Sequence, residues 1–356
     1  MKCGIITFHR AINYGGVLQA YALQEYINKK LDIDCEIIDY RCENIENVYK
    51  CRLSELNLKA LTKYLYKLPI HLKKKKAFDK FVERHIKKGK SVNKFALEKE
   101  SDRYNIIITG SDQVWGKPRI NIDHSYFLDF VKDSRKKASY EASFGAEKIE
   151  SDIKEKYREL LGDFTYISVR EKTGANIVKE ITGKTAEVSI DPTFLLNKEQ
   201  WAKIASSKLK GKKYLLIYTL TNSKSVIDTA RKIAKEKGLE IYNISDAVKE
   251  EKGIKNLKAL SPQEWVGAFM NASYVVTNSF HGTAFSINFN KNFNTEVSKG
   301  IASRGSRITD LLDMLNLSER LINNGENSFD IVYDEVNKVI CDERKKSEDY
   351  LKKIFG

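Results

Sequence analysis

Proline and cysteine are both scarce in this sequence. Its 356 residues include 4 prolines and 5 cysteines, and so little proline excludes collagen-like and linker-dominated chains. The cysteines form no Cys-x-x-Cys pair and are odd in number, so neither a zinc site of ordinary spacing nor a disulfide framework is expected. No cluster of carboxylates calls for a metal ion either, and we predict a reduced protein without a metal.

Long apolar runs are also missing. No stretch approaches the 18 apolar residues that indicate a membrane-spanning helix. The apolar run at 4–8 is too short for the core of a signal peptide, and His9 and Arg10 follow it directly. The sequence therefore predicts a cytoplasmic protein.

Acidic residues are outnumbered by basic ones. The chain has 62 Lys and Arg against 48 Asp and Glu, a net charge of +14, and about +11 of it lies between Lys59 and Lys94. Apolar residues at three- and four-residue spacing predict two basic helices there, inserted at about 53–95. The lysines form either a solvated face or a docking surface for an anionic membrane or a polyanionic substrate. Specific nucleic-acid recognition is disfavoured because no binding motif accompanies the charge.

What the sequence does contain is a regular alternation of strands and helices. Hydrophobic residues make up 42% of the chain, enough for two domain cores. Nine short apolar runs alternate with helical patterns, which is typical of parallel sheets covered by helices on both faces. Predicted strands lie at 4–8, 36–40, 106–109, 166–169, 186–190, 214–220, 240–243, 274–277 and 292–297; predicted helices lie at 17–30, 153–161, 173–181, 226–237, 262–271, 283–289, 308–315 and 333–355.

This pattern predicts an α/β fold built from two Rossmann-like domains. The first covers residues 1–200 and carries the basic insertion, and the second covers residues 211–332. The charged amphipathic segment 333–356 is expected to form a helix that packs back across the seam between them. In open parallel sheets ligands bind at the carboxyl ends of the strands, so polar residues that follow the predicted strands are the candidate site residues.

The loop after the first strand contains Asn13, Gly15 and Gly16. A tight glycine-containing turn into a helix offers backbone N–H groups to a phosphate or carboxylate, or is an ordinary helix start. The loop lacks the Gly-x-Gly-x-x-Gly pattern of dinucleotide-binding proteins, so NAD and FAD are disfavoured.

The loop after the third strand contains Ser111, Asp112 and Trp115. Asp112 is a candidate general base for a sugar hydroxyl, or a helix cap. Trp115 offers a flat face to a sugar ring, or belongs to the core. Arg170 ends the next strand, where a guanidinium can bind a carboxylate or phosphate through two hydrogen bonds, or pair with a neighbouring acid.

The last candidate loop follows the strand at 274–277. It holds Ser279, His281, Gly282 and Thr283, and a helix is expected to begin near Thr283. Histidine takes and gives a proton near neutral pH, which makes His281 the leading candidate for acid–base catalysis. Two further cations, Arg304 and Arg307, precede the next predicted helix and are expected within reach of the cleft.

Together these motifs resemble the polysaccharide pyruvyl transferase family. The resemblance rests on five segments that follow one another in the family's order, from about residue 2 to residue 320: Asn13-Tyr14-Gly15-Gly16 with the helix after it, Gly110-Ser111-Asp112-Gln113-Val114-Trp115, Ser168-Val169-Arg170-Glu171, Asp191-Pro192-Thr193, and Ser279-Phe280-His281-Gly282-Thr283. It implies two Rossmann-like domains arranged as in B-type glycosyltransferases, with the active site in the interdomain cleft.

The resemblance also implies a reaction. Phosphoenolpyruvate would donate a pyruvyl group to two hydroxyls of a cell-envelope saccharide, free or lipid-linked, giving a cyclic ketal and phosphate with no further cofactor. His281 matches the family's histidine. Characterised members carry Arg where this chain has Ser279, and Asn where it has Gly116. Arg170, Arg304 or Arg307 would then supply the missing charge, or this branch uses another donor.

Two other functions fit the same residues. A glycosyltransferase that uses a nucleotide sugar would share the fold. A noncatalytic assembly or carrier-binding protein would use the basic helices as its docking surface.

Overall fold

The computed structural model describes residues 1–43, 58–116, 123–247, 250–297, 302–322 and 330–356. For residues 58–63 and 302–306 only the backbone is described. Bounds and contacts below refer to these ranges.

The first half of the chain forms a parallel sheet. Its strands are β1 (Lys2–Ile6), β2 (Asp34–Ile37), β3 (Ile106–Thr109), β4 (Lys137–Ser139), β5 (Ser168–Val169) and β6 (Glu187–Val188). Four of them lie in the order β2-β1-β3-β4, and single bridges from Ala138 to Tyr166 and from Ala142 to Val169 attach the β5–β6 pair. From β1 the chain first adds β2 on one side and then adds β3 and β4 on the other, so the strand order changes direction between β1 and β3. A parallel sheet opens a ligand-binding crevice at such a point.

The second half repeats this plan. Its strands are β7 (Tyr214–Tyr218), β8 (Glu240–Ile244), β9 (Ile254–Leu257), β10 (Tyr274–Thr277) and β11 (Asn292–Thr295), in the order β11-β10-β7-β8-β9. All pairs are parallel. Here the reversal falls between β7 and β10, so the crevice of this sheet lies beside the ends of those two strands.

Helices connect the strands of both sheets. They are α1 (Tyr14–Lys30), α2 (Leu58–His85), α3 (Leu97–Ser101), α4 (Ser151–Gly162), α5 (Lys172–Thr182), α6 (Lys198–Ala202), α7 (Lys224–Lys237), α8 (Pro262–Asn271), α9 (Phe280–Asn288), α10 (Ala302–Met314) and α11 (Tyr333–Phe355). Within the described ranges, no helix is both long and apolar enough to cross a membrane.

The nine predicted strands are present, with ends shifted by a few residues. Two further strands, β4 and β9, were not predicted because they are short and polar. Strand β4 has three residues and begins with Lys137, and β9 includes the exposed Lys255. Neither presents the apolar run from which strands were inferred.

The prediction of two helices in the basic segment is wrong. A single helix, α2, runs for 28 residues through Pro69 and through the four lysines at 73–76. The lysine run interrupts the apolar spacing but not the helix, because lysine is a good helix former. The same helix contacts the first motif segment, since the ring of Phe78 lies 5.0 Å from that of Tyr14 in α1.

Aromatic rings join the two halves. Tyr14 of α1 stacks on Trp265 of α8 at 5.5 Å, and its hydroxyl donates a hydrogen bond to the Leu260 carbonyl at 2.9 Å. Trp265 in turn meets Phe285 of α9 edge-on at 4.9 Å. All four residues are buried. The first turn of α1 is therefore fixed against the helices of the second half.

The C-terminal helix α11 contacts both halves. The Tyr333 hydroxyl near its start donates to the Lys291 carbonyl at 2.5 Å, in the second half. Towards its end the Tyr350 hydroxyl donates to the Ser139 carbonyl at 2.8 Å, in the first. These contacts add to the aromatic junction in setting how the two sheets face each other.

Candidate active site

The loops at the two crevices enclose one cavity of about 290 Å³. Residues that follow β1 and β3 line one part of it, residues that follow β7 and β10 line another, and Arg307 and Ile308 of α10 complete the lining. The wall residues are Asn13, Gly15, Asp112, Gln113, Tyr218, Leu220, Thr221, Asn278, Ser279, Phe280, His281, Arg307 and Ile308. Its size and its mixed lining suit a small polar ligand.

His281 enters this cavity from the first turn of α9. The helix begins at Phe280 and not near Thr283, because the Ser279 side chain caps it by accepting a hydrogen bond from the Gly282 N–H at 3.3 Å. The imidazole lies directly over Gly15: a methyl group there would come within 2.1 Å of Nδ1. Glycine at position 15 thus makes room for a side chain from the other half of the molecule.

Asp191 lies behind the imidazole. Its Oδ2 is 3.5 Å from His281 Nε2, and its Oδ1 accepts hydrogen bonds from the backbone N–H and the hydroxyl of Thr193 at 2.9 and 2.6 Å. Burial alone would raise the pKa of Asp191, but the charges and hydrogen bonds of His281, Arg170 and Thr193 hold it well below its usual range. A carboxylate behind an imidazole orients the ring.

In the sequence Asp191 stood out only as part of the family motif Asp191-Pro192-Thr193. The signal that could have identified it was its position after β6, the same place at a strand end that singled out the other candidates.

Arg170 is buried among carboxyl groups. Its Nε donates to Glu141 Oε1 at 2.6 Å, its Nη2 donates to Ser111 Oγ at 2.8 Å and lies 3.4 Å from Asp191 Oδ2, and its Nη1 is 3.8 Å from Asp112. Burial opposes its charge, but these acids outweigh burial and raise the pKa of Arg170. The sequence left two roles open for Arg170: binding a phosphate or carboxylate of the substrate, or pairing with a neighbouring acid. In the structure its guanidinium pairs with the protein's own acids.

Two buried glutamates near Arg170 are shifted toward the neutral form. Burial raises the pKa of Glu141 well above its usual range although Arg170 opposes the shift, and burial also raises the pKa of Glu171. Of the acids beside Arg170, Asp191 is thus the one whose charged form its surroundings favour. Prediction missed Glu141 because it follows β4, the short strand that the sequence pattern did not show.

Asp112 presents a carboxylate to the cavity. Its backbone has φ of +89°, a conformation that non-glycine residues rarely adopt and that often marks a functional site. Its Oδ1 accepts a hydrogen bond from the Gln113 N–H at 2.9 Å, and 15% of the side chain is exposed. Asp112 thus stays a candidate base facing the same space as His281.

Arg307 is the cation that faces the cavity. Its guanidinium lies 5.6 Å from the centre of the Phe280 ring, which Arg170 also approaches at 5.0 Å. Within the described part of the chain its Nε has no hydrogen-bond partner. Burial and the nearby Arg170 lower the pKa of Arg307. The side chain of Arg304 is outside the described residues.

Trp115, a candidate to contact a sugar ring, does not face the cavity. It is fully buried, its indole N–H donates to the Tyr126 carbonyl at 3.0 Å, and its ring packs on Phe127, Phe144 and Phe164. No sugar ring can reach it. Trp115 is a core residue beneath the Asp112 loop.

Four other predicted binding residues lie behind the cavity wall. Ser111 and Thr283 are fully buried. Ser111 donates to Glu141, and the Thr283 hydroxyl donates to the Ser279 carbonyl and lies 2.9 Å from the Thr295 hydroxyl. Gly282 lets α9 approach Thr277, where a methyl group would come within 2.4 Å of Oγ1. The N–H of Gly16 donates to the Asn13 side chain at 3.4 Å, in the capped first turn of α1. These residues shape the site without lining it, whereas Asn13, Gly15 and Ser279 do line it.

Several solved structures are similar to this chain. They include a UDP-N-acetylglucosamine 2-epimerase, described as putative, from Listeria monocytogenes (12% identity, TM-score 0.51, covering 98% of this chain and 97% of that one) and the UDP-GlcNAc 2-epimerase from Neisseria meningitidis bound to UDP-GlcNAc (9%, 0.48, 99% and 94%). The ADP-heptose heptosyltransferase II of E. coli is a further match (8%, 0.40, 98% and 100%). The Listeria likeness shows the fold alone: an α/β protein of the B-type glycosyltransferase architecture, as predicted.

The sequence itself is more specific. Residues 13–294 match the model of the polysaccharide pyruvyl transferase family, and no curated protein matches the chain. The chain belongs to this family, and the protein is a transferase. Membership implies a phosphoenolpyruvate donor and a saccharide acceptor.

We expect Gly15→Ala to abolish most turnover while leaving the fold intact. The new methyl group would overlap the His281 ring, a side chain that can rotate away, so the imidazole leaves Asp191 at little cost in stability. The measurement is the transfer rate together with the thermal unfolding midpoint.

The matched control is Gly16→Ala. A methyl group there meets its nearest neighbour, the Phe8 carbonyl, at 3.4 Å, which is ordinary contact, so this variant should keep both activity and stability. Equal turnover in the two variants would contradict the placement of His281 over Gly15.

Proposed function

We propose that the protein transfers the pyruvyl group of phosphoenolpyruvate to two hydroxyls of a cell-envelope saccharide or its lipid-linked precursor, forming a cyclic ketal and phosphate. The observation that carries this proposal is one small cavity in which Arg307, the His281–Asp191 pair and Asp112 meet. Arg307 provides the positive charge that an anionic donor needs. The His281–Asp191 pair and Asp112 provide the groups that the proton transfers need.

Arg307 is the proposed anion ligand. Phosphoenolpyruvate carries a phosphate and a carboxylate, both of which guanidinium groups bind strongly. The first turn of α9 adds backbone N–H groups at a helix N-terminus. The guanidinium lies beside Phe280, next in sequence to Ser279, where characterised members carry Arg. Arg307 thus supplies from α10 the charge that position 279 lacks.

Proton transfer falls to His281 and Asp112. The first sugar hydroxyl gives its proton to Asp112 as its oxygen bonds to C2 of the donor, and the C2=C3 electrons take a proton from the His281 imidazolium, making a methyl group. The C2–O bond to phosphate then breaks, and the departing phosphate takes the proton from Asp112. As that bond breaks, the second hydroxyl bonds to C2 and returns a proton to His281. Acid and base are restored, as general acid–base catalysis requires.

Arg307→Ala should weaken binding of phosphoenolpyruvate. At about 100 times its dissociation constant a ligand stabilises the fold by about 2.7 kcal/mol. Loss of one charge-assisted interaction should reduce this to about 1.3 kcal/mol or less at the same concentration. The measurement is the shift in unfolding temperature on adding the donor.

The control for that experiment is Arg135→Ala, which removes a highly exposed guanidinium. It should bind phosphoenolpyruvate like the unchanged protein. A shift with UDP or ADP and none with phosphoenolpyruvate would overturn the proposal in favour of a nucleotide-sugar donor.

Asp191→Asn should lower kcat by roughly a hundredfold or more while binding of phosphoenolpyruvate persists. The amide keeps an oxygen for the Thr193 N–H but loses the charge behind His281. Steady-state kinetics and the donor-induced thermal shift together test this. Asp129→Asn, at an exposed position, is the control, and an unchanged kcat in Asp191→Asn would show that His281 acts without its carboxylate.

The proposal includes peripheral contact with an anionic membrane through α2, where a lipid-linked acceptor would be found. Leu65, Tyr66 and Leu72 are 53%, 62% and 54% exposed. Leu65 and Leu72 are seven residues apart and share a helix face, which also carries the exposed Lys73 and Lys76. Exposed apolar side chains among lysines are typical of helices that lie on anionic bilayers.

Replacing both Leu65 and Leu72 with Glu should abolish sedimentation with phosphatidylglycerol vesicles at low salt. The unchanged protein should bind these vesicles, less at high salt, and should not bind phosphatidylcholine vesicles. Phe95→Glu, at a side chain 93% exposed outside α2, should behave like the unchanged protein. Binding that ignores lipid charge would leave the lysines as a solvated face.

A further inference from the structure

A second, larger cavity adjoins the one that holds His281. Its volume is about 830 Å³, and it lies at the carboxyl ends of β7 and β8. Asn13, Tyr218, Leu220 and Thr221 line both cavities, so the two spaces share a wall. A molecule in the larger cavity would therefore lie beside the donor.

Charge in the larger cavity is balanced pair by pair. Among its described lining residues, Lys74 Nζ lies 2.8 Å from Asp246 Oδ2, and Arg231 Nη2 lies 3.1 Å from Glu251 Oε2. Lys224 pairs with Asp228 in the same way. Each lining cation is thus matched by a lining carboxylate. Cations in excess of acids favour a diphosphate, and the described lining residues provide no such excess.

The remaining polar groups of the larger cavity are neutral. Asn243 and Asn256 stand opposite each other in the β8–β9 ladder, and the hydroxyls of Thr219, Ser223 and Ser245 complete the lining. The Asn243 Oδ1 is buried and has no hydrogen-bond partner in the described chain. Asn243 lines the cavity, so its unpaired Oδ1 can accept a hydrogen bond from a ligand hydroxyl once the amide turns toward the cavity.

The geometry points to the larger cavity as the binding site of the acceptor, for an uncharged saccharide whose hydroxyls pair with these amides and hydroxyls. This inference rests on the proposed function and adds the class of acceptor: a neutral sugar unit, not a nucleotide-activated one. The shared wall at Tyr218 and Thr221 lets two of its hydroxyls reach the donor cavity, while the rest of the saccharide stays under α2, whose Lys74 covers the Tyr14 ring at 4.9 Å.

The test uses Asn243→Leu, which removes the unpaired amide with little change in shape. Because Oδ1 has no partner to lose, we expect the variant to be as stable as the unchanged protein or more so. Saturation-transfer NMR at millimolar concentration, with the neutral disaccharides lactose, maltose, cellobiose and diacetylchitobiose as probes, should show binding to the unchanged protein. Binding should be roughly tenfold weaker in the variant.

The control is Asn271→Leu, the same exchange at a half-buried asparagine outside both cavities, which should bind the disaccharides normally. The inference is overturned if no disaccharide binds, if Asn243→Leu and Asn271→Leu bind them equally, or if UDP binds and Asn243→Leu removes UDP binding. The donor-induced thermal shift, measured on the same samples, reports on the proposed function separately. If phosphoenolpyruvate causes no thermal shift in the unchanged protein, the donor assignment is overturned, whether or not the disaccharides bind.

Discussion

The aromatic contact between α1 and α8 is the constraint on which the site depends. Tyr14 stacks on Trp265, and Trp265 packs on Phe285 of α9. Gly15 follows Tyr14 in sequence, and His281 lies one turn before Phe285, so the same contact that joins the halves places the imidazole over the glycine. A change in the packing of these rings would move His281 relative to Asp191 and Asp112, and catalytic groups lose efficiency when displaced by about an ångström.

The balance of charge differs between the donor cavity, the larger cavity and the surface around α2. Arg170 forms ion pairs with buried acids, whereas Arg307 faces the donor cavity. In the larger cavity the cations are paired, which suits an uncharged saccharide. The excess positive charge of the chain lies mainly around α2, outside the small cavity. The high net charge therefore says little about the chemistry of the site.

Much of the fold could be predicted because local pattern decides it. The nine strands with a clear apolar run appear in the structure, and the loops after β1, β3, β7 and β10 meet where strand-end reasoning expected polar residues to meet. The failures are also local in origin: β4 is too short and polar to show a pattern, and with it Glu141 was missed. The lysine run in α2 interrupts the apolar spacing, so one helix was predicted as two.

The sequence by itself determined the family, the two Rossmann-like halves and the placement of His281 and Asp112 at strand ends, because these depend on neighbours in the chain. Only the tertiary structure decided which charges are free. Arg170 and Arg307 look equivalent in sequence, yet three acids from distant strands surround the first and none forms an ion pair with the second in the described chain. Burial and pairing depend on residues brought together from far apart in the chain, and no local pattern records those distances.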